Sequence, residues 1–265
     1  MKFPETRSPQ VIFANLKGGQ KIWLFLDYDG TLADFAPNPD LIQPDNELID
    51  LLSRLTEHPR LHTAIVSGRR LAHIQALVPI KGIWLAGTYG IEMRTPDGRR
   101  LDMLPYDTVR PIIEQIKPDW EELLKDNPNL YLEDKGWSLA IHGRFVPEKE
   151  AEKVLAKARQ IANTHLSQNM LHMLGGNKFL EVCPIVAAKT KAIEFILENE
   201  PVSGGIPVYI GDDDKDELAF ATVRKHRGIP IVVTSEERAT QALYRLSTPR
   251  AVRAWLEELL EWLDN

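Results

Sequence analysis

The sequence predicts an α/β protein whose parallel-sheet core is interrupted by a smaller α+β insert. Three observations favour this fold class. Short apolar runs alternate with segments of helical periodicity towards both ends of the chain. Polar side chains follow several of these runs directly, as they do at the carboxyl edge of a parallel sheet. The middle of the chain contains two predicted hairpins instead, so we expect a Rossmann-like core with an insert.

The first part of the chain alternates between predicted strands and helices. KIWLFLD at 21–27 indicates a strand buried on both faces, and NELIDLLSRLTEH at 46–58 repeats leucines at helical spacing. LHTAIVSG at 61–68, RLAHIQALV at 70–78 and GIWLAGTYG at 82–90 continue as strand, helix and strand. This order is typical of βαβ units and a parallel sheet.

The middle of the chain follows another pattern. PDGRR at 96–100 predicts a turn, and LYLED at 130–134 and WSLAIHGRF at 137–145 predict two strands. An amphipathic helix beginning near Pro147 and a hairpin around Gly175 and Gly176 follow them. These elements predict an α+β insert.

The parallel-sheet pattern then resumes. GIPVYIGD at 205–212 and GIPIVVT at 228–234 predict strands with a helix between them, and 250–264 predicts a last amphipathic helix. We therefore expect the first part of the core at 1–105, the insert at 106–186 and the second part of the core at 187–265.

Composition limits the classes of function. The chain has 265 residues and a formal net charge of −6, which argues against a nucleic-acid-binding surface. Its single cysteine, Cys183, excludes an intramolecular disulfide and a cysteine-rich zinc site. The N-terminal segment lacks the apolar stretch of a signal peptide, and no window approaches the roughly 20 apolar residues of a membrane span. We expect a cytoplasmic protein without nucleic-acid or membrane partners.

Acidic side chains follow two of the predicted strands. Asp27 and Asp29 end the first strand, and because side chains two apart in a strand point the same way, we expect them to face one site. The carboxyl ends of parallel strands are where open α/β sheets bind ligands. A second acidic group follows the strand at 205–212, and such dense like charge needs a cation nearby. This group consists of Asp212, Asp213, Asp214, Asp216 and Glu217.

Simpler interpretations exist for each signal. The acidic side chains could simply cap helix N-termini. A calcium-binding EF-hand loop is excluded, because neither group has the required spacing of glycine and glutamate. Ser67 and Gly68 end a strand where they could bind a phosphate oxygen or form an ordinary turn. Lys189 lies near a helix start and could be a surface lysine. No phosphate-binding GxxxxGK[ST] loop occurs.

Taken together, these stretches resemble a known family. DYDGTL, VSGR, Lys189 and GDDDKDE resemble, in chain order, the four motifs of the haloacid-dehalogenase-like phosphatases. The insert resembles the cap domain of the sugar-phosphatase branch. LEDKGWSLAIHGR, LEV at 180–182 and GDDDKDELAF narrow the resemblance to trehalose-6-phosphate phosphatases.

Four positions depart from the usual residues of that family. Gly143 stands where an aromatic residue is usual, and Thr190 follows Lys189 where glycine is usual. Lys215 replaces the common threonine of the fourth motif, and Tyr89 replaces a histidine. We expect these changes to leave the hydrolytic chemistry intact, and they put the identity of the recognised sugar in question.

The resemblance implies Mg²⁺-dependent hydrolysis of a phosphate ester through an aspartyl-phosphate. Asp27 would attack phosphorus, and Asp29 would act first as general acid and then as general base. Ser67, Lys189, the Gly68 N–H and Arg69 would bind or neutralise the phosphoryl group. The implied metal-binding residues are Asp27, the Asp29 carbonyl, Asp212, Asp213 and Asp216, with Asp213 and Asp216 not separated by the sequence.

The same resemblance assigns sugar recognition to the insert. Glu133, Lys135, His142, Arg144 and Glu181 match the family's polar positions, although such residues could also form a solvated face. The implied reaction is hydrolysis of trehalose 6-phosphate by a monomer whose partner is a small sugar phosphate. The alternatives are a phosphatase of sucrose phosphate or glycosyl-phosphoglycerate, and a non-catalytic regulatory domain that binds sugar phosphate.

Overall fold

The computed structural model describes residues 11–12, 19–36, 42–166, 170–176, 178–200, 202 and 205–265. The chain divides into two compact units. The core unit takes its described residues from Met1–Phe35, Ile42–Leu101 and Lys189–Asn265, and the second unit from Ala36–Leu41 and Asp102–Ala188. The predicted insert at 106–186 falls within the long segment of the second unit, and its limits as a domain stay a prediction.

Helices and strands largely alternate along the core unit, whereas in the second unit each helix is followed by two consecutive strands. The strands are β1 (Ile22–Leu26), β2 (Leu61–Val66), β3 (Trp84–Gly87), β4 (Glu92–Arg94), β5 (Arg100–Asp102), β6 (Tyr131–Asp134), β7 (Leu139–His142), β8 (Leu171–Gly176), β9 (Phe179–Pro184), β10 (Ile206–Gly211), β11 (Ile229–Val233) and β12 (Tyr244–Leu246). The α-helices are α1 (Asn46–Glu57), α2 (Leu71–Leu77), α3 (Tyr106–Lys125), α4 (Glu148–Asn163), α5 (Lys189–Asn199), α6 (Glu217–Lys225) and α7 (Pro249–Asp264).

The core unit contains an eight-stranded sheet in the order β12-β11-β10-β1-β2-β3-β4-β5. The strands from β12 to β3 pair in parallel, and β4 pairs with β3 in antiparallel orientation. β1 therefore lies between β2, which follows it in the chain, and β10, which comes much later. Such a reversal of strand order opens a crevice at the carboxyl ends of the two strands.

Both faces of this sheet are covered, as the continuous apolar run of β1 predicts. Leu24 and Leu26 belong to a buried cluster with residues of α1, α2 and α7. Trp23 and Phe25 belong to a second cluster with residues of α5 and α6. Alternate side chains of β1 thus pack on opposite layers of helices, which confirms the predicted α/β class with a Rossmann-like core.

Helix boundaries in the core unit follow local chemistry. The Asp45 carboxylate accepts hydrogen bonds from the N–H groups of Glu47 and Leu48 and so begins α1. Thr248 caps α7 in the same way, with Pro249 at the first helical position, where the missing N–H is no loss.

The second unit contains a four-stranded antiparallel sheet in the order β6-β7-β9-β8. The helices α3 and α4 pack against one another, and the indole Nε1 of the buried Trp120 donates a hydrogen bond to the Ala158 carbonyl. The unit is α+β, as expected for the insert. None of the helices in the described part of the chain has the length and apolarity needed to cross a bilayer.

Candidate active site

Asp27 follows β1 directly, at the crevice beside β10. Its N–H donates to the Ile210 carbonyl at 2.9 Å, so the backbone still follows the sheet and fixes where the side chain begins. The side chain is buried, and its Oδ1 lies 2.9 Å from Nζ of Lys189. Lys189 is the first residue of α5 and is itself buried, which rules out the interpretation of Lys189 as a surface lysine.

Asp216 is the most fully hydrogen-bonded carboxylate of the site. Its Oδ1 accepts from Nζ of Lys189 at 2.6 Å and from the Tyr209 hydroxyl at 2.5 Å. Its Oδ2 accepts from the N–H groups of Asp212 and Asp213 at 2.9 and 3.0 Å. Four donors occupy the lone pairs of a carboxylate, so Asp216 orders the loop around it and has little capacity left for a metal ion.

Asp212 faces Asp27 without a cationic partner of its own. Its Oδ1 lies 3.5 Å from the Thr31 hydroxyl, and no lysine or arginine side chain in the described part of the chain forms an ion pair with it. Gly30 makes room for this carboxylate, because a Cβ there would lie 2.3 Å from Oδ2 of Asp212. Gly30 also has φ +78°, which favours glycine.

The charge balance of this cluster is negative. Oxygen atoms of Asp27, Asp212 and Asp216 all lie within 4.8 Å of one another, against the single ammonium of Lys189. Burial raises the pKa of Asp27 to about 7, although the Lys189 ammonium opposes this shift. Burial and then the Asp27 carboxylate raise the pKa of Asp212 to about 10. Burial also opposes ionisation of Asp216, but Lys189 and the hydrogen bonds outweigh it and lower its pKa.

These properties fit a divalent cation bound by hard oxygen ligands. Asp27 and Asp212 are buried carboxylates whose ionised forms repel each other, and a cation would relieve that repulsion. Mg²⁺ prefers carboxylate and carbonyl oxygens and keeps several water ligands. Among the predicted metal-binding residues, Asp27 and Asp212 therefore suit direct contact, whereas Asp216 holds their surroundings in place.

Asp29 points to a different partner from Asp27. β1 ends at Leu26, so the alternation expected within a strand does not extend to these residues. Arg69 donates from Nε and Nη2 to the two carboxylate oxygens of Asp29, at 2.6 Å each. Arg69 is buried, and its Nη1 also lies 3.1 Å from Nδ1 of His73. The structure thus brings two predicted site residues, Asp29 and Arg69, together as an ion pair.

Ser67 and Gly68 follow β2 at the same edge of the sheet. The buried Ser67 hydroxyl oxygen accepts the Arg69 N–H at 3.1 Å, an arrangement typical of a tight turn. Tyr89 packs over Gly68, because a Cβ at Gly68 would lie 2.8 Å from two carbons of its ring. Tyr89 and its neighbour Thr88 have positive φ values of 56° and 46°, a conformation that is strained for residues with a side chain.

The rest of the acidic loop has protein partners. The Asp213 carboxylate accepts the Lys215 N–H at 2.5 Å. It also accepts the Asp216 N–H, while the Asp216 carboxylate accepts the Asp213 N–H, and these two bonds form a capping box. Asp213 therefore caps a short helix, as the simpler interpretation of this acidic group allowed. Arg238 donates to the Asp214 carboxylate at 2.6 Å and to the Glu217 carboxylate at 3.0 Å.

A second group of charged residues is buried in the second unit. Lys135 Nζ donates to Oε1 of Glu181 at 3.0 Å and lies 3.8 Å from Oε2 of Glu133. The Ser138 hydroxyl donates to the same Glu181 oxygen at 2.6 Å, and His142 Nε2 lies 2.8 Å from Glu133 Oε2. Burial alone would lower the pKa of Lys135, but the two glutamates outweigh it and raise the pKa.

Three of the predicted sugar-binding residues are buried and so do not form the solvated face that was one alternative. Glu133 is 6% exposed, Lys135 is 4% exposed, and Glu181 is fully buried. Lys135 and Arg144 lie just beyond the ends of β6 and β7 rather than within them. Of the predicted sugar-binding residues, Arg144 is the exposed one.

Some residues of these clusters carry no sequence signal. Tyr209 occupies an apolar strand pattern, where an aromatic residue is most simply core, yet its hydroxyl donates to Asp216. Ser138 lies within the stretch LEDKGWSLAIHGR but is not one of its matched polar positions, and Arg238 lies in a stretch without a motif. Their partners lie 43 and 21 to 26 positions away in the chain. Only the fold brings them to the carboxylates.

Comparison with known proteins identifies the family. The trehalose-phosphatase family profile matches residues 25–250. The chain is 30% identical to trehalose-phosphate phosphatase B of Arabidopsis thaliana over 99% of this chain and 72% of the relative. It is 32% identical to trehalose-phosphate phosphatase of Mycobacterium tuberculosis over 91% of this chain, and it spans 61% of that relative's length.

A solved structure shows the same fold. The C-terminal domain of C. albicans trehalose-6-phosphate phosphatase aligns with a TM-score of 0.86 over 98% of each chain, at 20% sequence identity. The family profile covers most of the chain, including the acidic loop and the buried carboxylates at the ends of β1 and β10. The chain therefore belongs to the trehalose-phosphatase family, within the haloacid-dehalogenase-like superfamily, and is a phosphoric monoester hydrolase.

Proposed function

We propose that the chain hydrolyses trehalose 6-phosphate to trehalose and inorganic phosphate, with Mg²⁺ and through an aspartyl-phosphate on Asp27. The observation that carries this proposal is the buried Asp27 carboxylate at the end of β1, close to Asp212 and 2.9 Å from the Lys189 ammonium. The names of the relatives support trehalose 6-phosphate as the substrate.

In the first half-reaction, a carboxylate oxygen of Asp27 attacks phosphorus while the bond from phosphorus to the sugar oxygen breaks. Asp29 gives its proton to that oxygen, and the sugar leaves as an alcohol. Asp29 is held by Arg69 in the described structure. This step therefore requires the Asp29 carboxyl to exchange its contact with Arg69 for one with the leaving oxygen.

In the second half-reaction, Asp29 removes a proton from water, and the water oxygen attacks phosphorus. The bond between phosphorus and Asp27 breaks, which regenerates the carboxylate and releases inorganic phosphate. An ionised Asp29 held by Arg69 suits this step, because the base must begin without a proton.

The remaining core residues hold and neutralise the phosphoryl group. Asp27 and Asp212 would bind Mg²⁺, with the Asp29 carbonyl as a further predicted ligand and Asp213 as a less buried alternative. Bound Mg²⁺ supplies positive charge that offsets the charge of the phosphoryl oxygens. The Ser67 hydroxyl and the Gly68 N–H donate hydrogen bonds to phosphate oxygens, and Lys189 adds a buried positive charge.

Sugar recognition belongs, in this proposal, to the second unit. Its buried cluster offers carboxylate acceptors in Glu133 and Glu181 and donors in Lys135 and His142. Arg144 adds an exposed guanidinium. Neutral hydroxyl groups can exchange hydrogen bonds with such a set without adding charge.

The decisive experiment measures phosphate release from a panel of sugar phosphates with Mg²⁺ and after chelation with EDTA. We expect turnover of trehalose 6-phosphate well above that of sucrose 6-phosphate or a glycosyl-phosphoglycerate, and loss of turnover in EDTA that Mg²⁺ restores. Preference for another sugar phosphate would support the alternative enzyme. Binding without any turnover, including that of p-nitrophenyl phosphate, would support a regulatory domain.

A second experiment tests the covalent step. Rapid acid quenching during turnover, followed by intact mass measurement, should detect one phosphoryl group on the wild-type chain. The Asp27→Asn variant should not acquire it, because an amide cannot form the acyl-phosphate. Wild-type turnover in that variant would rule out the mechanism. A cytoplasmic location and a monomeric state remain predictions from the sequence.

A further inference from the structure

The loop between β11 and β12 contacts the acidic loop that follows β10. Arg238, in the middle of this loop, donates from Nη1 to the Asp212 carbonyl at 2.8 Å. Its Nη2 donates to the carboxylates of Asp214 and Glu217 at 2.6 and 3.0 Å. One guanidinium thus connects three residues of the acidic loop.

A backbone contact extends the same connection. The Gln241 N–H donates to Oε2 of Glu217 at 2.6 Å, while Arg238 binds Oε1 of the same carboxylate. Both oxygens of Glu217 are therefore held by the β11–β12 loop. The two loops are joined at the backbone of Asp212 and at the start of α6.

These contacts fix Asp212 from two directions. Arg238 holds its carbonyl, and the Asp216 carboxylate accepts its N–H at 2.9 Å. With the peptide groups on either side of its Cα anchored, the Asp212 side chain has a restricted range of directions. That range includes the contact with Gly30 and the approach to Asp27.

We propose that Arg238 is a positioning residue that presets Asp212 for a divalent cation. The inference rests on the proposed function, because it assumes that Asp212 binds the metal. Groups that orient a metal ligand from outside typically change affinity by about 10- to 100-fold when they are removed. Arg238 also forms ion pairs with Asp214 and Glu217, which reduces the repulsion among the carboxylates of the acidic loop. The Asp212 carboxylate can then remain beside Asp27.

The geometry explains why an arginine suits this position. The planar guanidinium donates from two nitrogens in fixed directions, so it can hold a carbonyl and two carboxylates at once. A lysine keeps the charge but has a single nitrogen on a flexible chain. We therefore expect Arg238→Lys to retain part of the effect and Arg238→Gln to lose it.

The test measures Mn²⁺ binding by isothermal titration calorimetry, since Mn²⁺ also prefers oxygen ligands and binding is read without turnover. Arg238→Gln should weaken binding about 10- to 100-fold, while its thermal unfolding in EDTA stays close to that of the wild type. Arg224→Ala is the matched control, because Arg224 contacts Gln241 of the same loop from outside the acidic loop. We expect Arg224→Ala to bind Mn²⁺ like the wild type.

The outcomes separate this inference from the function on which it rests. Equal affinity in Arg238→Gln and the wild type would overturn the positioning role and leave the proposed function standing. An equal loss of affinity in Arg224→Ala would also overturn it, since any disturbance of the loop would then suffice. If the wild type binds no Mn²⁺, both proposals fail. If Arg238→Gln does not fold, Arg238→Lys is the test variant, and unchanged affinity there would overturn the role.

Discussion

The buried charges of the core unit and those of the second unit differ in how they are balanced. In the core unit, three carboxylates gather around one ammonium, and the pKa values of Asp27 and Asp212 are raised. In the second unit, Lys135 pairs with both Glu133 and Glu181. The Ser138 hydroxyl donates to Glu181, and His142 contacts Glu133.

This difference indicates what each group can bind. The core cluster has excess negative charge in a buried place, so it favours an added cation. The cluster of the second unit already pairs its carboxylates with donors, so it has no comparable need of an ion. Hydroxyl groups of a neutral sugar can replace such hydrogen bonds one for one. The comparison favours ionic chemistry in one unit and polar recognition in the other, and four predictions can test it.

The largest expected effect is that of Asp27→Asn. Removal of the nucleophile should lower kcat by on the order of 10⁴-fold or more, because the amide cannot take the phosphoryl group. Steady-state phosphate release measures the loss, and circular dichroism checks that the fold is kept. A variant that retained substantial turnover would show that the core cluster does not work as a covalent catalyst.

The next largest effect concerns the second unit. Glu181→Ala, Glu133→Ala and Arg144→Ala should each lower kcat/KM for trehalose 6-phosphate by about 10- to 1000-fold, or roughly 1.4–4 kcal/mol. Hydrolysis of p-nitrophenyl phosphate, which has no sugar, should change much less. The ratio of the two kcat/KM values is therefore the measurement.

Two features of the structure sharpen this test. Arg144 is exposed, so its substitution should leave stability unchanged, whereas the fully buried Glu181 also pairs with Lys135. Glu122→Ala is the control, since Glu122 is an exposed residue of α3 that pairs with Lys125 on the same helix. Equal losses on both substrates would indicate a role in folding rather than in sugar recognition.

Asp212→Asn should affect activity and stability in opposite directions. The folded pKa of Asp212, about 10, lies above the ordinary aspartate pKa of 3.8, so the metal-free wild type loses stability as pH rises between these values. The amide lacks this cost, and we expect the variant in EDTA to be more stable by about 1–3 kcal/mol near pH 8. Catalysis should be lost together with metal binding.

Thermal unfolding in EDTA from about pH 5 to about pH 9 measures this effect. The wild type should lose stability over that range more steeply than Asp212→Asn, and Mg²⁺ should stabilise only the wild type. The same dependence of stability on pH in both proteins would contradict the idea that ionisation of Asp212 destabilises the metal-free protein.

The smallest effect is expected for Ser138→Ala. Loss of its hydroxyl removes one donor from the buried Glu181 carboxylate and should lower the free energy of unfolding by about 1–2 kcal/mol. Ser53→Ala is a suitable control, because Ser53 donates only to a carbonyl of its own helix and should change stability by less than about 0.5 kcal/mol. Denaturant unfolding measures both. No difference between the variants would mean that Glu181 does not depend on the Ser138 hydroxyl, because its remaining partners, Lys135 among them, satisfy the carboxylate.

The sequence was most informative about the strands and the residues directly after them. An apolar run followed by Asp27, and another followed by Asp212, predicted two strand ends, and the parallel sheet brings those ends together. It was less informative about where the side chains after the strand point. β1 ends at Leu26, and the Asp29 carboxylate pairs with Arg69. Alternation within a strand does not extend past its last residue.

Contacts between distant loops lay beyond sequence reasoning. The predicted site residue Lys189 pairs with Asp216 of the acidic loop, but Arg238, which no sequence pattern indicated, binds Asp214 and Glu217. Neither periodicity nor a local motif connects a residue to a loop more than 20 positions earlier. Such pairings arise only once β10, β11 and β12 lie side by side.

The position of β1 in its sheet has a consequence for the order in which the chain folds. Leu24 lies beside Thr63 on one side and beside Val208 on the other, so one edge of β1 can pair only after β10, more than 180 positions later, has been synthesised. The antiparallel strands of the second unit all come from one continuous segment and can pair earlier. In pulse-labelled hydrogen exchange during refolding, amides of β6 to β9 should be protected before those between β1 and β10. The carboxylates that follow β1 and β10, Asp27 and Asp212, would then come together late in folding. Their mutual repulsion would therefore arise only after much of the protein has already folded.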